Sequence, residues 1–189
     1  MWVAALLIAI APPGFPEAEI RPVVRGGEVR SQRPWALSGE LGWNGLAGVG
    51  LTLRRTLEAG FAIEGGVGFS LEGAKVGLRA RYDFSRAEWT PFLGLGFLYG
   101  TGSQQEVGDT GRYGPYKYRI GQSPYLQAVF GLEYQGQGGF VFAVAAGYAR
   151  LLSHNLDVTG GTPTPDELSA GRFSTGSGPV LSLSWGRAF

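Results

Sequence analysis

The sequence contains no cysteine, one histidine and one methionine among 189 residues. Without cysteine there are no disulfides and no thiolate metal sites. With His154 as the single imidazole, only scattered carboxylates remain as ligands, so no metal and no cofactor is expected. Charge is scarce, at 16% of residues, and balanced: sixteen bases against fifteen acids leave +1. That balance lacks the basic field of a nucleic-acid-binding protein, and no nucleic-acid partner is expected. Long apolar helices are missing too, because the run at 2–11 is far shorter than the ~20 residues of a membrane-spanning helix. Its length fits a signal-peptide core, so residues 1–11 are expected to direct export. Residues 12–34 carry prolines and arginines without periodicity and read as a solvated segment entering one domain at 35–189.

What the chain does have is glycine, 33 residues, and aromatics, at 13%. From Trp35 onward apolar residues recur with period two. Eight runs follow: 35–43, 49–57, 61–71, 76–84, 89–99, 125–134, 140–148 and 179–189. Apolar residues do not recur at the i+3 and i+4 positions of a helix, and glycines inside nearly every run oppose helix formation. One face of the runs is bulky: Leu37, Leu41, Leu51, Phe69, Leu78, Leu95, Phe130 and Val144 are typical. The other is small or polar and holds Ser38, Thr52, Asp83, Gln127, Ser182 and Ser184. It also holds Glu40, Arg54, Glu64, Arg79, Arg81 and Glu133, three acids against three bases.

A soluble ligand-binding barrel would turn the bulky face inward. Here the small, charged face has too little volume for a dry core. The bulky face is too apolar to meet water. Inverting the arrangement removes both conflicts. The expected fold is all-β, an eight-stranded antiparallel up-and-down transmembrane β-barrel, with Glu40, Arg54, Glu64, Arg79, Arg81 and Glu133 pairing in the lumen. Closure satisfies every backbone group in hydrocarbon. Trp35, Phe61, Phe84, Trp89, Tyr134, Phe140 and Phe189 fall at one rim; Trp43, Phe69, Tyr99 and Tyr148 fall near the other. Aromatic girdles of this kind mark outer-membrane barrels. On one side the linkers 58–60, 85–88 and 135–139 are short. On the other, 44–48 and 72–75 are short, while 100–124 and 149–178 read as long loops. Short turns belong to the periplasmic side and long loops to the outside, so segment 12–34 and both chain ends are expected in the periplasm.

The last residues, "LSLSWGRAF", are apolar at alternate places and end on an aromatic. Together with "WTPFLGLGFLYG" at 89–100 they give the chain, over about 35–189, a resemblance to the small outer-membrane barrel superfamily, the OmpA- and OmpW-like proteins. The resemblance implies a monomer in the bacterial outer membrane, in contact with its lipid and lipopolysaccharide. It also implies that Leu181, Leu183, Trp185 and Phe189 are read by the barrel-assembly machinery. Arg187 departs from the pattern at a place that is usually apolar.

Chemistry-bearing motifs are few. Ser153, His154 and Asp157 invite a hydrolase reading, but adjacent strand residues point to opposite faces, and no catalytic residue is assigned. "GLGFLYG" lacks the Gly-Lys-Ser/Thr of a phosphate loop. The first long loop holds Arg112, Tyr113, Tyr116, Lys117, Tyr118 and Arg119, residue types favoured at contact surfaces. The expected role is therefore non-enzymatic, structural or surface-binding through two loops. The rivals are a lipid-modifying deacylase or acyltransferase, a small-solute channel and a soluble ligand-binding barrel.

Overall fold

A computed structural model describes residues 29–107, 116–153, 155–161 and 165–189. Eight strands close into one antiparallel barrel: β1 (Trp35–Trp43), β2 (Val49–Thr56), β3 (Phe61–Ser70), β4 (Gly73–Asp83), β5 (Trp89–Gly100), β8 (Ser123–Gln135), β9 (Phe140–Leu151) and β11 (Gly178–Ala188). Three further strands, β6 (Ser103–Val107), β7 (Tyr116–Ile120) and β10 (Leu156–Gly160), form a separate sheet in the order β10-β7-β6. The wall is a simple meander. Each barrel strand pairs with the next in the chain, and β1 closes the ring against β11 in a register running from Ala36↔Ala188 to Trp43↔Leu181.

The period-two pattern fixes the faces. The bulky residues point outward and are exposed, Leu95 at 63% and Phe69 at 70%. The polar set points inward and is buried, Arg54 at 3% and Glu133 at 2%. Apolar side chains share the interior, where Leu46, Phe92, Leu98, Tyr125, Val129 and Val180 belong to one cluster.

Four places differ from the sequence reading. Lys75 does not lie in a linker: β4 begins at Gly73, whose φ of 87° lets the β3–β4 connection shrink to Leu71 and Glu72. The connection 44–48 is short but turns into the barrel. Leu46 and Ala47 are fully buried there, with the chain reversed by positive φ at Asn44 and Gly48. The described residues of the connections 100–124 and 149–178 include regular elements rather than irregular loop alone. The first carries β6 and β7, whose Tyr-Lys-Tyr-Arg-Ile stretch alternates strand-forming residues with basic ones. The second carries β10 and a helix, α2 (Pro165–Thr175). Finally, 29–34 is not a solvated approach. A helical turn, α1 (Val29–Gln32), sits in the barrel mouth with Val29 and Arg30 buried.

One end of the barrel thus carries α1, the turns at 57–60, 84–88 and 136–139, and Phe189. The opposite end carries the inturned 44–48 connection, the small sheet and α2.

Candidate functional site in the barrel interior

The interior is layered. Nearest α1, three guanidiniums converge on Glu133. Its Oε1 accepts from Arg30 Nη1 at 2.5 Å and its Oε2 from Arg81 Nη1 at 2.7 Å; Arg54 Nη1 also contacts Oε2. Arg81 Nε donates to Asp83 Oδ1 at 2.5 Å, and its guanidinium lies 3.6 Å from the Phe92 ring centroid. Arg54 Nη2 donates to Gln135 Oε1 at 2.9 Å. These charged side chains are almost wholly enclosed. Burial alone would make each costly, and mutual pairing offsets that cost.

The middle layer is a cross-strand pair. Glu64 and Arg79 stand directly opposite on β3 and β4. Arg79 Nε and Nη2 donate to Glu64 Oε2 at 3.1 and 2.7 Å, and Nη1 donates to Gln127 Oε1 at 3.4 Å. Gln127 Nε2 in turn donates to the Asn44 carbonyl at 2.6 Å, which ties the inturned connection to the wall. Glu40 does not join this network. It accepts the Ala47 N–H at 3.4 Å and has no ion pair among the described residues. The physical reason is local: the chain at Gly45–Ala47 packs against its carboxylate, and Arg79 is already held by Glu64.

At the far end Lys75, Glu72, Tyr125, Asn155 and Thr175 are buried together. Lys75 Nζ lies 5.5 Å from the Tyr125 ring centroid. The Tyr125 hydroxyl donates to the Thr175 carbonyl at 2.5 Å and lies 3.3 Å from Glu72 Oε1. Asn155 Nδ2 donates to the same carbonyl at 2.7 Å and to Ser123 Oγ at 2.9 Å. This cluster fastens the end of α2 and the start of β10 to the barrel mouth.

Among the described residues the buried charges balance: Glu40, Glu64, Glu72, Asp83 and Glu133 against Arg30, Arg54, Lys75, Arg79 and Arg81. Sequence reasoning missed Arg30, Glu72 and Lys75. Alternation would have found Lys75 had β4 been extended three residues. Arg30 lies outside any periodic run, and no local signal marks it. Burial lowers the Arg30 pKa from its ordinary value, and the Glu133 charge works against that shift.

On the outer surface Leu181, Leu183, Trp185 and Phe189 are exposed, and Phe189 exchanges backbone hydrogen bonds with Trp35 at 2.8 and 3.2 Å. Arg187 is exposed on the same face, in register with Leu37 and Phe140. Arg55 lies 5.2 Å from the Trp35 ring centroid at the same rim. Four of the six loop residues fall on one strand. Arg112, Tyr113 and His154 lie outside the described residues, while Tyr116, Lys117, Tyr118 and Arg119 fall on β7. Alternation along β7 separates Tyr118 from Arg119, whose register partners are Gln104 and Asp157. Ser153 Oγ donates to the Gln122 carbonyl at 3.4 Å. Compared with protein-family models and with curated proteins, the sequence matches none.

Proposed function

We propose that this chain is an integral protein of the bacterial outer membrane, non-enzymatic, with its lumen closed by ion pairs and its role structural or surface-binding. The observation that carries this reading is the inversion of the barrel: bulky apolar side chains cover the outside and the charges are inside. In water such a surface far exceeds the few hundred Å² of apolar patch a soluble monomer exposes. In lipid it is the favoured outer layer. The stretch from Phe61 to Leu71 rises about 25 Å at ~3.3 Å per residue and ~40° tilt, the height of the apolar band in such barrels.

The aromatic contacts at the first rim support the same reading. Trp89 packs on Tyr134 with ring centroids 5.0 Å apart, Phe61 on Tyr82 at 5.2 Å, and Tyr82 on Phe84 at 5.2 Å. Arg55 and Arg187 sit at this rim, where an arginine reaches headgroups at a cost of only about 0–1 kcal/mol. The longer connections, with the small sheet and α2, lie at the other end. That asymmetry favours the outside for them and the periplasm for α1 and Phe189. The alternating, aromatic-ended β11 then serves as the element presented to the barrel-assembly machinery.

Fractionation of intact cells, followed by external protease treatment and a gel of unheated against boiled membranes, tests the proposal. The expected result is outer-membrane recovery, faster migration unheated, and cleavage confined to connections at the β7, β10 and α2 end. Recovery as a soluble monomer without detergent would contradict the membrane reading. Cleavage at 57–60 or 136–139 would reverse the orientation.

A further inference from the structure

Arg30 comes from outside the barrel, yet of its four acceptors only the Glu88 carbonyl is shared among the described residues, with the Gln135 N–H at 2.8 Å. Glu133 gives Oε2 to Arg54 and Arg81 and keeps Oε1 for Arg30. Asp83 gives Oδ1 to Arg81; its buried Oδ2 has no hydrogen-bond partner and faces Arg30 Nη1 at 3.6 Å. The carbonyls of Ala87 and Glu88 accept from Arg30 Nε at 3.3 Å and Nη2 at 3.4 Å. All three guanidinium nitrogens are therefore engaged, and the acceptors belong to β4, β8 and the turn between β4 and β5.

We propose that Glu133 Oε1, Asp83 Oδ2 and the Ala87 and Glu88 carbonyls form a guanidinium-binding site, filled here by the chain's own Arg30 and open to a free alkylguanidinium when Arg30 is absent. Buried acceptors support it. Without Arg30, Glu133 Oε1 loses its donor and Asp83 Oδ2, which already lacks a hydrogen-bond partner, loses the cation facing it at 3.6 Å, while Arg54 and Arg81 stay engaged with Glu133 Oε2 and Asp83 Oδ1. Shape supports it as well. Acceptors spread around a planar fork suit a guanidinium, whereas an ammonium is a compact point charge that cannot reach them together. Access is present: a cleft of about 430 Å³ at this mouth is lined by Arg30, Ser31, Thr56, Asp83 and Arg86. Segment 29–34 is thus a ligand held in cis, docked through Arg30 and through the Arg33 carbonyl, which accepts from Gln135 Nε2 at 3.4 Å.

The test uses the full chain, as wild type and as Arg30→Ala, purified in detergent and heated in millimolar ethylguanidinium or, at equal ionic strength, ethylammonium. The expected result is a saturable rise of several degrees in the unfolding midpoint of Arg30→Ala with ethylguanidinium alone, and no such rise in the wild type, whose site is occupied. No rise in the variant, an equal rise with ethylammonium, or an equal rise in the wild type would each overturn the proposal. If Arg30→Ala does not fold unaided, the same titration is read as refolded yield. Recovery with ethylguanidinium but not ethylammonium supports the site, and recovery with neither overturns it. Fractionation decides the membrane reading separately, so the two can fail independently.

Discussion

Glu133 contacts three guanidiniums, whereas Glu64 contacts one. Removing one partner of a buried pair typically costs about 3–5 kcal/mol. Glu133→Gln should therefore fall at or above that range and destabilise the barrel more than Glu64→Gln. Urea unfolding in detergent, followed by tryptophan emission, measures both. Equal losses would mean that Arg54 and Arg81 are held by Gln135 and Asp83 rather than by Glu133. Glycine makes a second residue-scale case. A Cβ at Gly77 would stand 2.6 Å from Leu46 Cδ1 and 2.8 Å from the Leu46 carbonyl oxygen. Gly77→Ala should push the inturned connection off the wall and cost about 1–3 kcal/mol, the range for overpacking, in the same unfolding assay. The sequence's period of two made Glu64, Arg79 and Glu133 legible as inward residues, but it could not assign partners. Arg54 stands directly opposite Glu64 in register, yet it reaches Glu133, because Arg79 already occupies Glu64. A strand's period gives the face; the reach of a long side chain across the lumen is a three-dimensional matter.

Among the elements, β11 closes the ring. Phe189 bonds Trp35 in both directions through the backbone, and its side chain lies outward at the rim. Deleting Phe189 should lower the yield of assembled, heat-modifiable barrel several-fold in cells, whereas trimming residues 12–28 should change it little. Equal yields for the two truncations would remove the role given to the terminal strand. All eight barrel strands were readable from alternation, with ends shifted by at most three residues, because each has one continuous bulky face. The small sheet was not readable. β6, β7 and β10 are five residues each, too short for alternation to stand out from loop composition. The turn at α1 was hidden for another reason. It is held by charge pairing inside the mouth, and a single buried arginine leaves no pattern along the chain.

For the whole molecule, the central claim is that the barrel is inside out with respect to a soluble one and that lipid covers its outer face. Four tryptophans report on that face directly. Trp35, Trp43, Trp89 and Trp185 all point outward, two near one rim, one near the other and one farther along the wall. The decisive measurement is tryptophan quenching in a Trp2→Phe background, with the protein refolded into vesicles whose acyl chains carry bromine at mid-depth. The account predicts strong quenching of the emission by the brominated chains, with little effect of aqueous acrylamide. Emission that acrylamide quenches and brominated lipid leaves unchanged would contradict it.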